Sequence, residues 1–214
     1  MTVAVSGDRG CCLSQQLAAD SYLFAVATGF GRIDGEAAAP LALGRLRREF
    51  ERRARSGHAL KRAVTRVNDE LHARSASHED YVTAGASMTA VLLIRERAYL
   101  AHIGSTAGYL VRGGSVVALT KNEAFDGEPG LPVLMRALGL TRTLDLAISA
   151  FALVPGDALV LAERPLPASA ERLVIRFSGV EVSQVPAPAK AHTAPSILTA
   201  VLATVLFYAM LAIR

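Results

Sequence analysis

The chain of 214 residues carries a formal net charge of +4, with 51% hydrophobic and 20% charged residues, two cysteines and no tryptophan. That composition excludes a disordered chain, a collagen-like repeat and a disulfide scaffold, and the length suffices for a buried core. A mean hydropathy of +0.32 is high for a soluble domain, so where the apolar residues lie becomes the first question.

The N-terminal residues MTVAVSGDRG lack the basic start and apolar run of a secretory signal. Cys11 and Cys12 are adjacent, a spacing that rarely meets disulfide geometry, and no CxxC or histidine cluster accompanies them. They read as reduced thiols in an early loop or strand. Tyr22 to Ala27 (YLFAVA) is a short apolar run that enters a Gly-rich turn, TGFGRIDG, and is expected to form a buried strand followed by a loop.

Two helices are predicted next. The first spans about Gly35 to Arg55, with Ala38, Leu41, Ala42, Leu46 and Phe50 at spacings of three and four. The second spans about His58 to Ser75, with Leu60, Ala63, Val64, Val67 and Leu71 in the same kind of stripe. Between Arg45 and Arg66 stand nine basic residues against Glu49 and Glu51. Arg45, Arg48, Arg52, Arg55, Arg62 and Arg66 are therefore a candidate docking surface for anionic lipid headgroups or a protein partner, the plainer alternative being a solvated helix face. No aromatic platform accompanies them, so no nucleic-acid role is expected.

From Ala86 the pattern turns to strands: Ala86 to Ile94, Ala98 to Ile103, Ala107 to Arg112 and Ser115 to Thr120, punctuated by RER, GST and Gly113-Gly114. Leu144 to Leu153, Ala158 to Leu161 and Arg172 to Phe177 follow, with Val154-Pro155-Gly156-Asp157 as a turn. A strand, two helices and then hairpin-linked strands indicate an α+β fold with antiparallel sheets and segregated helices. Residues 178 to 194 are polar and rich in Pro and Ala and read as a linker. Ala194 to Ile213 (APSILTAVLATVLFYAMLAI) has no charge over about 20 residues, enough at ~1.5 Å per residue to cross a bilayer. The expected organisation is a soluble body at 1–177, a linker at 178–194 and a transmembrane helix at 195–213. With no secretory signal, that predicts a single-pass membrane protein with a cytoplasmic body.

Four blocks, taken in order, carry a resemblance: LFAVATGFGRIDGEAAA, GASMTAVLLIRERAYLAHIGSTAGYLVRGGSVVALTKNEAF, LMRALG and LDLAISAFALVPGDALVLAERPL. Together they resemble the PPM (type 2C) family of metal-dependent serine/threonine protein phosphatases, across essentially the whole soluble body. The resemblance implies a four-layer αββα sandwich of two antiparallel sheets flanked by helices. It also implies a metal centre between the sheets, where aspartates hold two divalent cations that activate water for phosphoester hydrolysis.

The resemblance places the ligand positions, and the carboxylates are missing from them. The family's Asp-Gly-x-Gly-Gly turn falls on Thr28, Gly29, Phe30, Gly31 and Arg32, so its bridging aspartate becomes Thr28. The Gly-Asp-Ser-Arg hairpin falls on Gly104, Ser105, Thr106 and Ala107. The Ser-Asp-Gly-Leu block falls on Glu163, Arg164, Pro165 and Leu166, and a shift of one residue would put Glu163 at the ligand position. The final Asp-Asn pair falls on Ala168 and Ser169, and the early Asn-Glu-Asp block falls near Cys11 to Asp20, where only Asp20 is acidic. Thr28, Gly29, Ser105, Arg164 and Ala168 thus mark a vestigial metal site, with Asp20 and Glu163 as residual acids.

The remaining acids and histidines offer no other centre. Asp34 and Glu36 suit a helix start, Asp126, Glu128 and Asp157 lie in loops where solvation is expected, and His102 reads as a packed strand residue. The sequence therefore predicts a membrane-anchored, catalytically degenerate type 2C domain, a pseudophosphatase that works by binding or regulation in signalling and needs no cofactor. Two alternatives stand beside it. One is a divergent, weakly active serine/threonine protein phosphatase, dependent on Mg or Mn, that uses Asp20, Glu163 and Asp157 with fewer metals. The other is a structural membrane-surface protein.

Overall fold

Residues 2–6, 11–31, 35–51, 55–76, 84–113, 115–126, 132–165 and 180–184 are described by the structure, a computed structural model. Their longest apolar runs become the two central strands of one sheet. In β3 (Ser21–Phe30) and β4 (Gly85–Ile94) nearly every side chain is buried, because both faces of this sheet are covered. They pair antiparallel in unbroken register from Ser21 opposite Ile94 to Phe30 opposite Gly85. β5 (Arg97–Ile103) and β10 (Ile148–Ala152) extend the sheet on one side and β2 (Cys12–Ala18) on the other, giving the order β10-β5-β4-β3-β2.

The second sheet has the order β12-β1-β11-β6-β7, from β12 (Val180–Gln184), β1 (Thr2–Ser6), β11 (Ala158–Ala162), β6 (Ala107–Arg112) and β7 (Ser115–Ala118). All of its pairings are antiparallel except β1 with β11, which is parallel. A small hairpin of β8 (Ala124–Asp126) and β9 (Pro132–Leu134) stands apart.

Strand alternation sorts the core into two layers. Tyr22, Phe24 and Val26 of β3, with Val91, Leu93 and Leu100, point toward Leu110, Leu159 and Leu161 of the second sheet. Leu23, Ala25 and Ala27 point the other way, onto α1 (Gly35–Phe50) and α2 (Gly57–Ala76). Each fully buried Leu or Phe contributes roughly 2 kcal/mol. The stripe expected on α2 is the buried one: Leu60, Ala63, Val64, Val67 and Leu71. Ser56 caps this helix by accepting the Ala59 N–H at 3.1 Å. Asn68, also buried, donates to the Thr141 carbonyl and accepts the Gly139 N–H, both at 2.9 Å, pinning the loop before β10 to α2.

Several expectations shift. The first helix stops at Phe50, short of Arg55. β1, β8, β9 and β12 are strands the sequence did not predict, β2 is the strand alternative of the loop or strand expected around Cys11 and Cys12, and β12 lies inside the stretch read as linker, where Val180, Glu181, Val182 and Ser183 alternate apolar with polar and pair with β1. Both helices lie on the sheet of β3, so the described residues supply three of the four expected layers. No helix among the described residues is long and apolar enough to cross a membrane. The strand expected at 172–177 and the apolar segment at 195–213 lie outside the described residues.

Candidate functional site

The inner face of the β3 sheet changes chemistry along its length. Across its middle it presents Phe24, Val26 and Val91, and at the end where β3 finishes it presents hydroxyls: Thr28 lies opposite Ser87 in the β3–β4 pairing, and Thr89 lies two residues further along β4. The turn Gly104–Thr106 between β5 and β6 folds over this end, and β11 finishes at the same end. Thr28 donates a long hydrogen bond of 3.4 Å to the Glu163 carbonyl just beyond β11, linking the two sheets. The structure thus brings Thr28, Gly29, Ser105 and Glu163 to one end of the sandwich. Arg164 is exposed beside Glu163, and Ala168 lies outside the described residues.

Gly104 has a φ of +93°, and a Cβ there would come within 2.2 Å of the Ser87 hydroxyl oxygen, so only glycine fits. The Ser105 N–H donates to that oxygen at 3.0 Å, and the two serine hydroxyls lie 3.2 Å apart. Behind them, Thr89 contacts His102 Nδ1 at 2.9 Å and the Thr106 hydroxyl at 2.8 Å. His102 Nε2 lies 2.9 Å from the Lys121 carbonyl, which can only accept. Nε2 therefore carries the proton, Nδ1 accepts from Thr89, and Thr89 accepts in turn from Thr106. Burial pushes the His102 imidazole below its ordinary value, against the opposing pull of the Lys121 hydrogen bond and the Glu123 charge.

Glu123 ties this end together. It accepts the Gly104 N–H at 2.9 Å and the Arg136 guanidinium at 2.7 Å, and Arg136 also donates to the Asp145 carbonyl. Sequence reasoning missed Ser87, Thr89, Thr106, Glu123 and Arg136. Only the i, i+2 spacing of Ser87 and Thr89 in a predicted strand signalled a shared polar face.

The other acids lie elsewhere. Asp20 is exposed in the turn before β3, at the opposite end of that strand from Thr28, and meets Arg95 at 3.1 Å. Asp157 immediately precedes β11, at the end opposite Glu163, and is buried and held by Arg112 at 2.9 and 2.6 Å, not solvated as its turn suggested. Burial alone would raise the Asp157 carboxyl, but the Arg112 hydrogen bonds, the Val154 N–H and the Arg112 charge outweigh it and hold the group below its ordinary value. Asp20, Asp157 and Glu163 therefore do not converge on one centre. No group of three or more His, Cys, Asp or Glu among the described residues is placed to hold a metal ion.

The arginines of the helical layer are largely engaged. Glu49 takes Arg45 at 2.9 Å and Arg66 at 2.6 Å, and Glu70 draws in Arg45, Arg48 and Arg74. Arg55 donates to the Leu17 carbonyl at 2.5 Å, Arg62 is exposed, and Arg52 lies outside the described residues.

The family described as Stage II sporulation protein E (SpoIIE) matches residues 21–162. The serine/threonine protein phosphatase PstP of Mycobacterium tuberculosis is 30% identical over 129 residues, 57% of this chain and 25% of that protein, so the chain spans about a quarter of the length of this curated relative. Among solved structures, the serine/threonine phosphatase of S. agalactiae superposes with a TM-score of 0.61 at 16% identity, over 75% of this chain and 78% of that one. The catalytic domain of a serine/threonine protein phosphatase PstP in complex with 2 manganese ions superposes at 0.59 with 23% identity, over 75% of this chain and 76% of that one. At these identities the superpositions speak for the fold.

Proposed function

Because the chain belongs to the Stage II sporulation protein E family of PPM-type serine/threonine phosphatases, we propose that it is a catalytically degenerate member that works by binding rather than by metal-dependent hydrolysis. One observation carries this reading. Where β3, the β5–β6 turn and β11 converge, Thr28, Ser87 and Ser105 contribute hydroxyls, and of the acids among the described residues there Glu163 has Arg164 beside it while the Glu123 carboxylate is taken by the Gly104 N–H and Arg136. Mg²⁺ and Mn²⁺ need anionic oxygen ligands, and a two-metal centre needs several of them. This donor set does not fit such a centre. The domain would instead present its strand-end surface to a protein partner in a phosphorylation-based signalling system, and the apolar run of Ala194 to Ile213 would hold it at a membrane.

Calorimetric titration of the full chain with Mn²⁺ and assay of an aryl phosphate test the reading together. The expected outcome is no binding tighter than millimolar and no metal-stimulated turnover. Micromolar affinity, or turnover that disappears in Glu163→Ala, would make the protein a divergent phosphatase instead. Deletion of residues 195–213 is expected to move the protein from the membrane fraction to the soluble fraction, and unchanged partitioning would remove the anchor from the proposal.

A further inference from the structure

The free edges of the two sheets are not equally guarded. β2 is broken by a register irregularity between Gln16 and Ala18, and β10, at the other edge of that sheet, exposes only the small residues Ser149, Ala150 and Ala152. In the second sheet the edge strand β12 carries Glu181. β7, at the opposite edge, has no such guard. Every residue of β7 is exposed, Val116 by 40% and Val117 by 51%, and Gly113 to Thr120 contains neither a charge nor a proline. An apolar strand edge without charge, proline or bulge is a template for further pairing.

The hydrogen-bond phase of β7 selects what can pair with it. The Leu119 N–H donates to the Gly108 carbonyl at 2.8 Å, and along the same ladder Val117 lies opposite Leu110 and Ser115 opposite Arg112. Bonded pairs alternate in an antiparallel ladder, so Ser115, Val117 and Leu119 turn their backbone groups toward β6, while Val116 and Ala118 turn theirs to the open flank. Two copies related by a twofold axis beside Val117 satisfy both: Val116 of each copy exchanges bonds with Ala118 of the other, and the two Val117 side chains meet. In that register Lys121 falls opposite Gly113, and the two copies of Lys121 stand roughly 26 Å apart, well beyond the screening distance. Arg112 falls opposite Asn122 and is already held by Asp157.

The geometry points to β7 as a homotypic docking edge, through which two copies of this chain join their second sheets into one continuous antiparallel sheet. A second copy is the occupant because the edge complements itself in hydrogen bonds and in apolar side chains, and sets no like charges against each other. A strand this short buries less than the ~1,200 Å² of a standard interface, so the pairing is transient in dilute solution. The anchor proposed above would concentrate these edges in one plane and strengthen it. The pairing itself depends neither on that anchor nor on how the strand-end site treats metals.

Disulfide cross-linking of the full chain under a mild oxidant, with detergent micelles in excess, tests the register. The native chain, with Cys11 and Cys12, sets the background. Val117→Cys is expected to give at least about fivefold more covalent dimer, because the paired Cα atoms would stand about 4.5 Å apart, within disulfide reach. Ser115→Cys, roughly 13 Å from its own copy, is expected to stay at the native level. Adding Ala118→Pro to Val117→Cys removes an outward N–H while sparing the bonds to β6, and should return the yield to the native level. No rise with Val117→Cys, equal yields from Val117→Cys and Ser115→Cys, or a yield indifferent to Ala118→Pro would overturn the pairing. The unaltered chain supplies an independent arm. Its Val116 and Ala118 amides should exchange at least about threefold more slowly as protein concentration rises, with Leu110 unchanged. Exchange of Val116 and Ala118 that ignores concentration would equally sink the docking edge.

Discussion

At the end of the sandwich where β3 begins, carboxylates face guanidinium groups, Asp20 with Arg95 at 3.1 Å and Asp157 with Arg112 at 2.6 Å. At the end where β3 finishes, the contacts are mostly hydroxyls, an imidazole and backbone amides, with Glu123 and Arg136 as a charged pair at their margin. The apolar core between the two ends is continuous. The contrast shows how a buried or half-buried carboxylate persists. Asp157 is kept in place by a built-in cation that offsets the cost of its burial. At the opposite end Glu123 has Arg136 as its cation, whereas uncharged Thr28 and Ser105 stand at the positions where the resemblance placed aspartates.

Five substitutions would break or sharpen that contrast. The largest effect belongs to Asp157→Ala, which removes two charge-assisted hydrogen bonds from a buried site while Arg112 can still reach water, so a loss of about 2–3 kcal/mol is expected in denaturant unfolding. A loss near zero would mean that the charged end is ornamental. The same group sets an acid limit. Because its folded-state value is depressed, its contribution is fully present above the ordinary 3.8 and is lost as pH falls through the lower folded value. Asp157→Asn should therefore flatten the stability profile below about pH 4 and nowhere else.

At the hydroxyl end, Thr89→Val leaves His102 Nδ1 and Thr106 without their shared partner, and about 1–2 kcal/mol should be lost in thermal or denaturant melts. His102 gives a gentler signal. Burial favours its neutral form, so the unfolded chain takes up protons first, and stability should decline as pH falls below the ordinary 6.5. His102→Gln should remove that slope, and an unchanged slope would place its source elsewhere. The smallest effect is expected from Thr28→Val, whose bond is 3.4 Å long. It should cost no more than about 0.5 kcal/mol, which would show that the polar contacts that matter here are those between β4 and the β5–β6 turn rather than the bridge between sheets.

Elements with strong periodicity were legible in advance. The helical stripe of α2 and the apolar runs of β3 and β4 are buried as their spacing requires. β2 was not, because Ser14, Gln15 and Gln16 interrupt any alternation, and an edge strand can tolerate such a run on its less covered side. The cationic helix face was visible as composition, but its neutralisation depends on Glu70 of α2 reaching Arg45 and Arg48 of α1, which follows from helix packing and not from spacing within either helix. The site positions could be placed by resemblance, whereas the hydrogen-bond network around Gly104 could not. Ser87, Ser105 and Glu123 belong to separate segments, and a serine carries no signal of its own until the register sets Ser87 beside Thr28 and Gly104 against it.

The place of β1 has a consequence for how the molecule is made. It precedes every other described strand in the sequence, yet it sits inside its sheet, with Thr2 beside Ala158 on one flank and beside Gln184 on the other. A strand so placed can settle only after the polypeptide has run through nearly all of the remaining fold, which raises the contact order and delays closure of that sheet. Until then β11 has an unsatisfied flank, a template for pairing with neighbouring chains. A fragment cut to 21–162 would keep that flank open permanently, so aggregation is the outcome to expect from trimming the protein to its most recognisable part.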